Sequence, residues 1–236
     1  MTHTAEIFTS SIVAVGSFNP AIFSPDWMEA HGLLGKDDAD RIREQRPGAS
    51  LLVSHQATAF ESNWFALQVL ENQFSITSKS ALSPAFKDLA VSIFQLLSHT
   101  PVTAVGLNFQ AHYKLSTEKE YHHLGDALAP KDIWNELYPD EDAGLADLTV
   151  RIQAGRRGQP LKNKDEKRIS LQPSGIVRFG AFLSYNGHHD LSDVNPEYPR
   201  PGERVALLID SKWETAWQDA LRVFDGLLIK VVNKSG

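Results

Sequence analysis

Asp210 and Lys212, two residues apart behind the apolar run Val205–Ile209, have the form of an acid-x-lysine element. Behind a strand, such an acid can bind magnesium while the lysine steadies an attacking water or a scissile phosphate. A second carboxylate would have to join them, and Asp190, Asp193 and Glu203 are available. The simpler reading makes Asp210 and Ser211 caps of a C-terminal helix and leaves Lys212 solvated. His188, His189 and Asp190 follow the turn-forming pair Asn186-Gly187. Imidazole and carboxylate are sound metal ligands, but neighbours in an extended chain point opposite ways, so an exposed loop is the competing reading. A third pattern is a ladder: Asn108, Gln110, His112 and Lys114 alternate with Leu107, Phe109, Ala111 and Tyr113. Period two places the polar set on one face of a strand, facing water or a ligand.

Other chemistry is missing from the sequence. There is no phosphate-binding glycine motif, no G-x-S-x-G elbow and no H-E-x-x-H. The absence of cysteine removes disulfides, thiolate metal centres and a cysteine nucleophile. No cofactor is expected.

Charge supplies a different kind of candidate. The net charge is −6, which opposes approach to a polyanion. It is unevenly spread: residues 118–147 carry nine acids against two lysines, net −7, whereas 151–168 carry seven bases against two acids, net +5. Arg156, Arg157, Lys162 and Lys164 form a basic loop rich in glycine, proline and asparagine, a candidate binding surface. A protein partner, or the acidic segment of a second copy, suits it better than nucleic acid, because it lacks aromatic residues for stacking.

The elements that must position these residues follow from periodicity. Residues 7–18 read as a strand, and Ser24-Pro25-Asp26 as the start of a short helix. Gly35–Gly48 reads as an exposed link. Leu51–Phe60 and Trp64–Leu70 read as strands, with a hairpin turn at Glu71-Asn72 that resets the inward phase before Phe74 and Ile76. Phe86, Leu89, Ala90, Ile93 and Leu97 lie on one helical face, and Val105–Leu115 is the clearest strand. Thr117-x-x-Glu120 is a capping box, and Pro130 opens a short helix with Ile133, Trp134 and Leu137. Leu148–Ile152, Arg168–Leu171, Ile176–Tyr185 and Val205–Ile209 read as strands before a last helix bearing Trp213, Trp217, Ala220, Phe224 and Leu227.

This order resembles that of a sporadically distributed group of uncharacterised bacterial proteins of similar length. The resemblance is carried by Phe23-Ser24-Pro25-Asp26-Trp27, the hairpin Phe65–Ile76, the helix Leu82–Leu97, the strand Val102–Leu115 and the ending Leu207–Phe224. It implies an α+β fold and brings no catalytic residue with it. The expectation is one domain, 1–236, with a largely antiparallel sheet, helices mainly on one side and subregions 1–115 and 116–236, open to being two ferredoxin-like halves. No signal peptide or membrane span is recognisable, so the cytoplasm is the expected compartment. The favoured function is non-enzymatic binding or assembly through protein–protein contacts. The alternatives are a metal-dependent nuclease using Asp210 and Lys212, and a small-molecule sensor using the polar ladder.

Overall fold

Strand β1 (Ala5–Gly16) and strand β6 (Val102–Lys114) pair antiparallel at the centre of the molecule, with Ile12 opposite Leu107 and Ser11 opposite Asn108. The computed structural model describes residues 4–45, 51–79, 83–153, 165–193 and 200–232. After β1 come a 3-10 turn (Pro20–Ile22) and helices α1 (Pro25–Ala30) and α2 (Lys36–Arg43). The Ser24 hydroxyl accepts the Trp27 N–H at 3.1 Å, and Pro25 follows it as first helical residue, so α1 starts where the cap dictates. A meander follows: β2 (Leu51–Val53), β3 (Ala57–Glu61), β4 (Phe65–Leu70) and β5 (Gln73–Ser78), then helix α3 (Pro84–Leu96). Beyond β6 come α4 (Glu118–Leu128), α5 (Asp132–Leu137), a second meander β7 (Leu148–Gln153), β8 (Glu166–Pro173) and β9 (Gly180–Asp190), and helix α6 (Pro201–Val232).

The nine strands of the described residues form one antiparallel sheet in the order β2-β3-β4-β5-β1-β6-β9-β8-β7. Each half lays its long first strand against the last strand of its own meander, β1 on β5 and β6 on β9, and each meander leads into a helix. The halves therefore follow one plan about the β1–β6 seam. That plan is not the βαββαβ alternation of a ferredoxin-like unit, because the strands after the first come uninterrupted by a helix.

The core lies on one face. Val105, Leu107, Phe109, Ala111 and Tyr113 of β6 are buried there, as are Phe65, Leu67 and Val69 of β4 and Phe74 and Ile76 of β5, in the phase that the Glu71-Asn72 turn sets. Helices α3 and α6 cover this face and pack on each other, placing Trp213 4.9 Å and Trp217 5.6 Å from the Phe109 ring, centroid to centroid. The first turn of α6 is joined to the end of α3: the N–H groups of Gly202 and Glu203 both donate to the Ser98 carbonyl, which satisfies donors a helix start otherwise leaves open.

Four expectations need correction. Val205–Ile209 is helical, part of an unbroken α6; Val205, Ala206 and Ile209 are buried and Leu207 is 47% exposed. A short apolar run reads alike as strand or buried helix. The strand expected at Ile176–Tyr185 begins at Gly180 and runs through Asn186-Gly187 to Asp190, because these two residues pair with Asn108 and Leu107 instead of turning. Residues 51–60 form two strands, parted where the Ser54 hydroxyl donates to the Ala57 carbonyl. The 35–48 link contains α2, whose Ala39 and Ile42 are buried and whose Arg43 holds Asp26, Glu29 and Asp40. Among the described residues, no helix is long and apolar enough to cross a membrane.

Candidate functional site: the open polar face of the sheet

Because the helices and the core occupy one face, every second residue of the central strands points away from them. Asn108, Gln110, His112 and Lys114 of β6 do so, in the arrangement that period two requires. The register extends this ladder sideways. Thr77 of β5, Ser11 of β1, Asn108, Asn186 of β9 and Arg168 of β8 form one row across five strands. Thr9, Gln110, Ser184, Ser170 and Thr149 form a second, across β1, β6, β9, β8 and β7. At about 4.8 Å per strand, each row spans about 19 Å.

Most side chains of the two rows are short and partly joined, and apolar Ile7 and Val15 of β1, 42% and 45% exposed, stand on the same face beyond them. The Asn186 amide donates to the Asn108 carbonyl oxygen, and Thr149 and Ser170 share a 2.9 Å hydroxyl contact. Gly106 lies beneath them, where a Cβ would stand 3.0 Å from the Asn186 amide nitrogen. Charges sit toward the margins, where Lys79 pairs with Glu61 and Arg168 with Glu166, so the middle is uncharged but rich in donors and acceptors. Over β2–β5 the face deepens into a hollow of about 790 Å3 floored by Ala59, Ala66, Gln68, Ser75 and Thr77. His112 closes the other end: its ring lies 4.6 Å from that of Phe182 and its Nδ1 2.8 Å from the Ser174 hydroxyl. Burial there lowers its pKa, favouring the neutral ring. Such a surface can hydrogen-bond to a partner.

The remaining sequence candidates are dispersed. His188 and His189 lie in β9 rather than in a loop, on opposite faces: His188 is opposite Gly106 and Glu166, while His189 turns to the helical side with Nδ1 3.0 Å from Asp165. The Asp190 N–H also donates to Asp165. Among the described residues, no group of three or more histidines and carboxylates is placed to hold a metal ion. Asp210 is neither a strand end nor a helix cap; it lies within α6 and pairs with Lys87 of α3 at 2.7 Å. Lys212, two residues on and so nearly opposite on the helix, borders a different cleft. Arg156, Arg157, Lys162 and Lys164 lie outside the described residues.

The cleft that Lys212 borders, about 450 Å3, lies between α6 and β7–β9 and is lined also by His189, Thr215, Tyr185 and Asp219. Burial alone would raise the Asp219 pKa, but hydrogen bonds from Lys167, Arg222 and Tyr185 outweigh it and hold the carboxyl at about 2. Burial, reinforced by the Asp219 charge, drives the Tyr185 phenol well above its ordinary value.

One surface escaped the sequence reading. Ile133, Trp134 and Leu137 of α5, with Tyr138 beside it, are 61%, 49%, 62% and 54% exposed, where the sequence indicated only a short helix. The available signal was their setting, a segment too acidic to lie against a core. No protein-family model matches the chain, and no curated protein is significantly similar to it.

Proposed function

We propose that this chain is a non-enzymatic binding or assembly protein that acts through protein–protein contacts, with the open sheet face as its docking platform. The occupant suited to it is an uncharged polar protein surface that exchanges hydrogen bonds with the two rows. The observation that supports this reading is the unbroken passage of polar side chains in two rows across the β1–β6 seam, on the face opposite α3 and α6.

The test is site-specific photocrosslinking in the native host. A crosslinker at Gln110, exposed in the middle of the platform, should give a discrete protein adduct, and one at Gln218, exposed on α6, should not. Ser184→Arg should abolish the first adduct while the melting curve stays in place. Equal adduct patterns from both positions, or persistence with Ser184→Arg, would reject the platform.

The cleft beneath α6 favours one second reading, a small-molecule sensor, because its volume suits a ligand and polar groups converge on it. A metabolite that raises the melting temperature of the wild type, but of neither His189→Ala nor Lys212→Ala, would establish it. No such metabolite in a broad panel would remove it.

A further inference from the structure

We infer that the occupant of the open sheet face is a second copy of the chain, packed sheet on sheet about a two-fold axis that runs parallel to the β1–β6 seam, midway between the two sheets. This inference rests on the platform reading above and names its partner. The chemistry of the face is the first observation. The platform requires a neutral surface that both gives and accepts hydrogen bonds, and it is itself such a surface. Amide and hydroxyl side chains are donor and acceptor at once, so Thr9, Ser11, Asn108, Gln110 and Ser184 can each meet their own kind. Apolar groups border them: Ile7 and Val15 on β1, and Leu52 opposite Ala59 on the outermost strand, are all exposed on this face. Neutral polar groups interspersed with apolar ones are the composition of protein interfaces that form between stable monomers.

Extent is the second observation. Nine strands span about 38 Å, and the alternate residues from Ile7 to Val15 on β1 run about 27 Å along the seam. With the outer strands shorter than the central ones, the face covers about 800 Å2, which is what each partner contributes to a stable dimer of ordinary size. Sheets packed face to face keep their strands within about 30° of each other, so a copy of the same sheet matches this outline strand for strand.

Shape decides the axis. The two halves of the face differ in bulk: the hollow over the first half is floored by small residues, Ala66 of β4 and Ser75 of β5 among them. At the same distance on the other side of the seam, β8 and β9 raise the larger Arg168 and His188 from the same face. Turning a copy about an axis parallel to the seam lays its β9 over β5 and its β8 over β4. Ser75 then meets His188 and Ala66 meets Arg168, in two equal contacts that close the assembly. The bulk of each second half enters the hollow of the opposing first half. An axis across the strands would set hollow against hollow and leave both empty, forfeiting the close packing that interfaces need.

Sedimentation velocity on the full chain is the first test, between about 1 and 100 µM, where mass action separates monomer from dimer. The wild type is expected to dimerise, and Ser184→Arg should weaken the dimer more than about tenfold by burying an unpaired cation at its centre. Crosslinking then tests the axis. The chain has no cysteine, so introduced thiols are the only ones present. Ser75→Cys and His188→Cys, mixed and left to exchange, should be joined by a short bis-maleimide. Neither should crosslink alone, because like positions of the two copies lie three strand spacings apart, about 14 Å. A wild type monomeric throughout overturns the proposal, as does a dimer indifferent to Ser184→Arg. Ser75→Cys joined to itself, or a mixture that gives no crosslink, overturns it too. The platform reading can survive that failure: a photocrosslinker at Gln110 that captures a different protein would leave the platform standing and remove the second copy. An adduct of twice the chain mass is expected, and no adduct at all would reject both.

Discussion

Tyr185 on β9 donates its hydroxyl to Asp219 on α6 across 3.0 Å, tying the sheet of the second half to the helix that covers it. Lys167 on β8 and Arg222 one turn further along α6 reach the same carboxylate. One half-buried charge therefore gathers three elements.

Acid stability should depend on this group. Its folded pKa, about 2, lies below that of an unfolded aspartate. The stabilisation is therefore complete above the unfolded value near 4, and it is lost as pH falls through about 2. Asp219→Asn should remove about 1–2 kcal/mol at neutral pH and flatten the stability curve between about pH 4 and 2. Urea titrations at a series of pH values check it; parallel curves for the two proteins would refute the linkage.

The aromatic cluster beneath the seam should dominate the core. Phe109 is fully buried against Trp213, Trp217 and Tyr185. Phe109→Ala should cost about 3–5 kcal/mol, through lost transfer energy and the cavity left behind. Tryptophan emission should shift to the red in the same variant, because water gains access to Trp213. An unaltered midpoint in denaturant would contradict this packing.

The joint between α3 and α6 allows no side chain at Gly202. A Cβ there would stand 2.2 Å from the Leu97 carbonyl oxygen, and the obstacle is backbone that cannot swing away. Gly202→Ala should destabilise by about 2 kcal/mol or more, with the strain felt in both halves. Hydrogen exchange should show faster opening at the start of α6 and at the end of α3 together. Faster exchange in one helix alone would mean that the joint does not couple them.

Asp210 should matter little. Its pair with Lys87 is largely exposed on the acid's side, and such pairs contribute about 0–1 kcal/mol. Asp210→Ala should leave the melting temperature almost unchanged. If the protein cleaves nucleic acid in a manner that this substitution abolishes, the separation of Asp210 from Lys212 described above has been misread.

Where each residue's environment was set by its near neighbours, the sequence could be read directly. The alternation of β6 placed Phe109 inside and Gln110 outside, and the Glu71-Asn72 turn gave the phase of β5. The failures came where a distant partner decided. Asn186-Gly187 has the composition of a turn, but β6 supplies Asn108 and Leu107 as pairing partners from about eighty residues away, and the ladder prevails. Val205–Ile209 has no periodicity of its own, and only the continuation to Trp213 makes it helix. The polar ladder was legible as one strand; its extension into two rows across the sheet was not, because register between strands is not written in either strand alone.

The seam also constrains how the molecule comes into being. Ser11 and Asn108 are neighbours in space but almost a hundred residues apart in the chain. During synthesis the first half must emerge, form its meander and wait, with one long side of β1 unpaired, until β6 appears. Contacts so distant in sequence slow the search for the native state, and the waiting edge is open to intruders. Early folding of the first half is therefore a hazard as well as a head start, and dependence on a chaperone should be greatest in the interval before residue 114 leaves the ribosome.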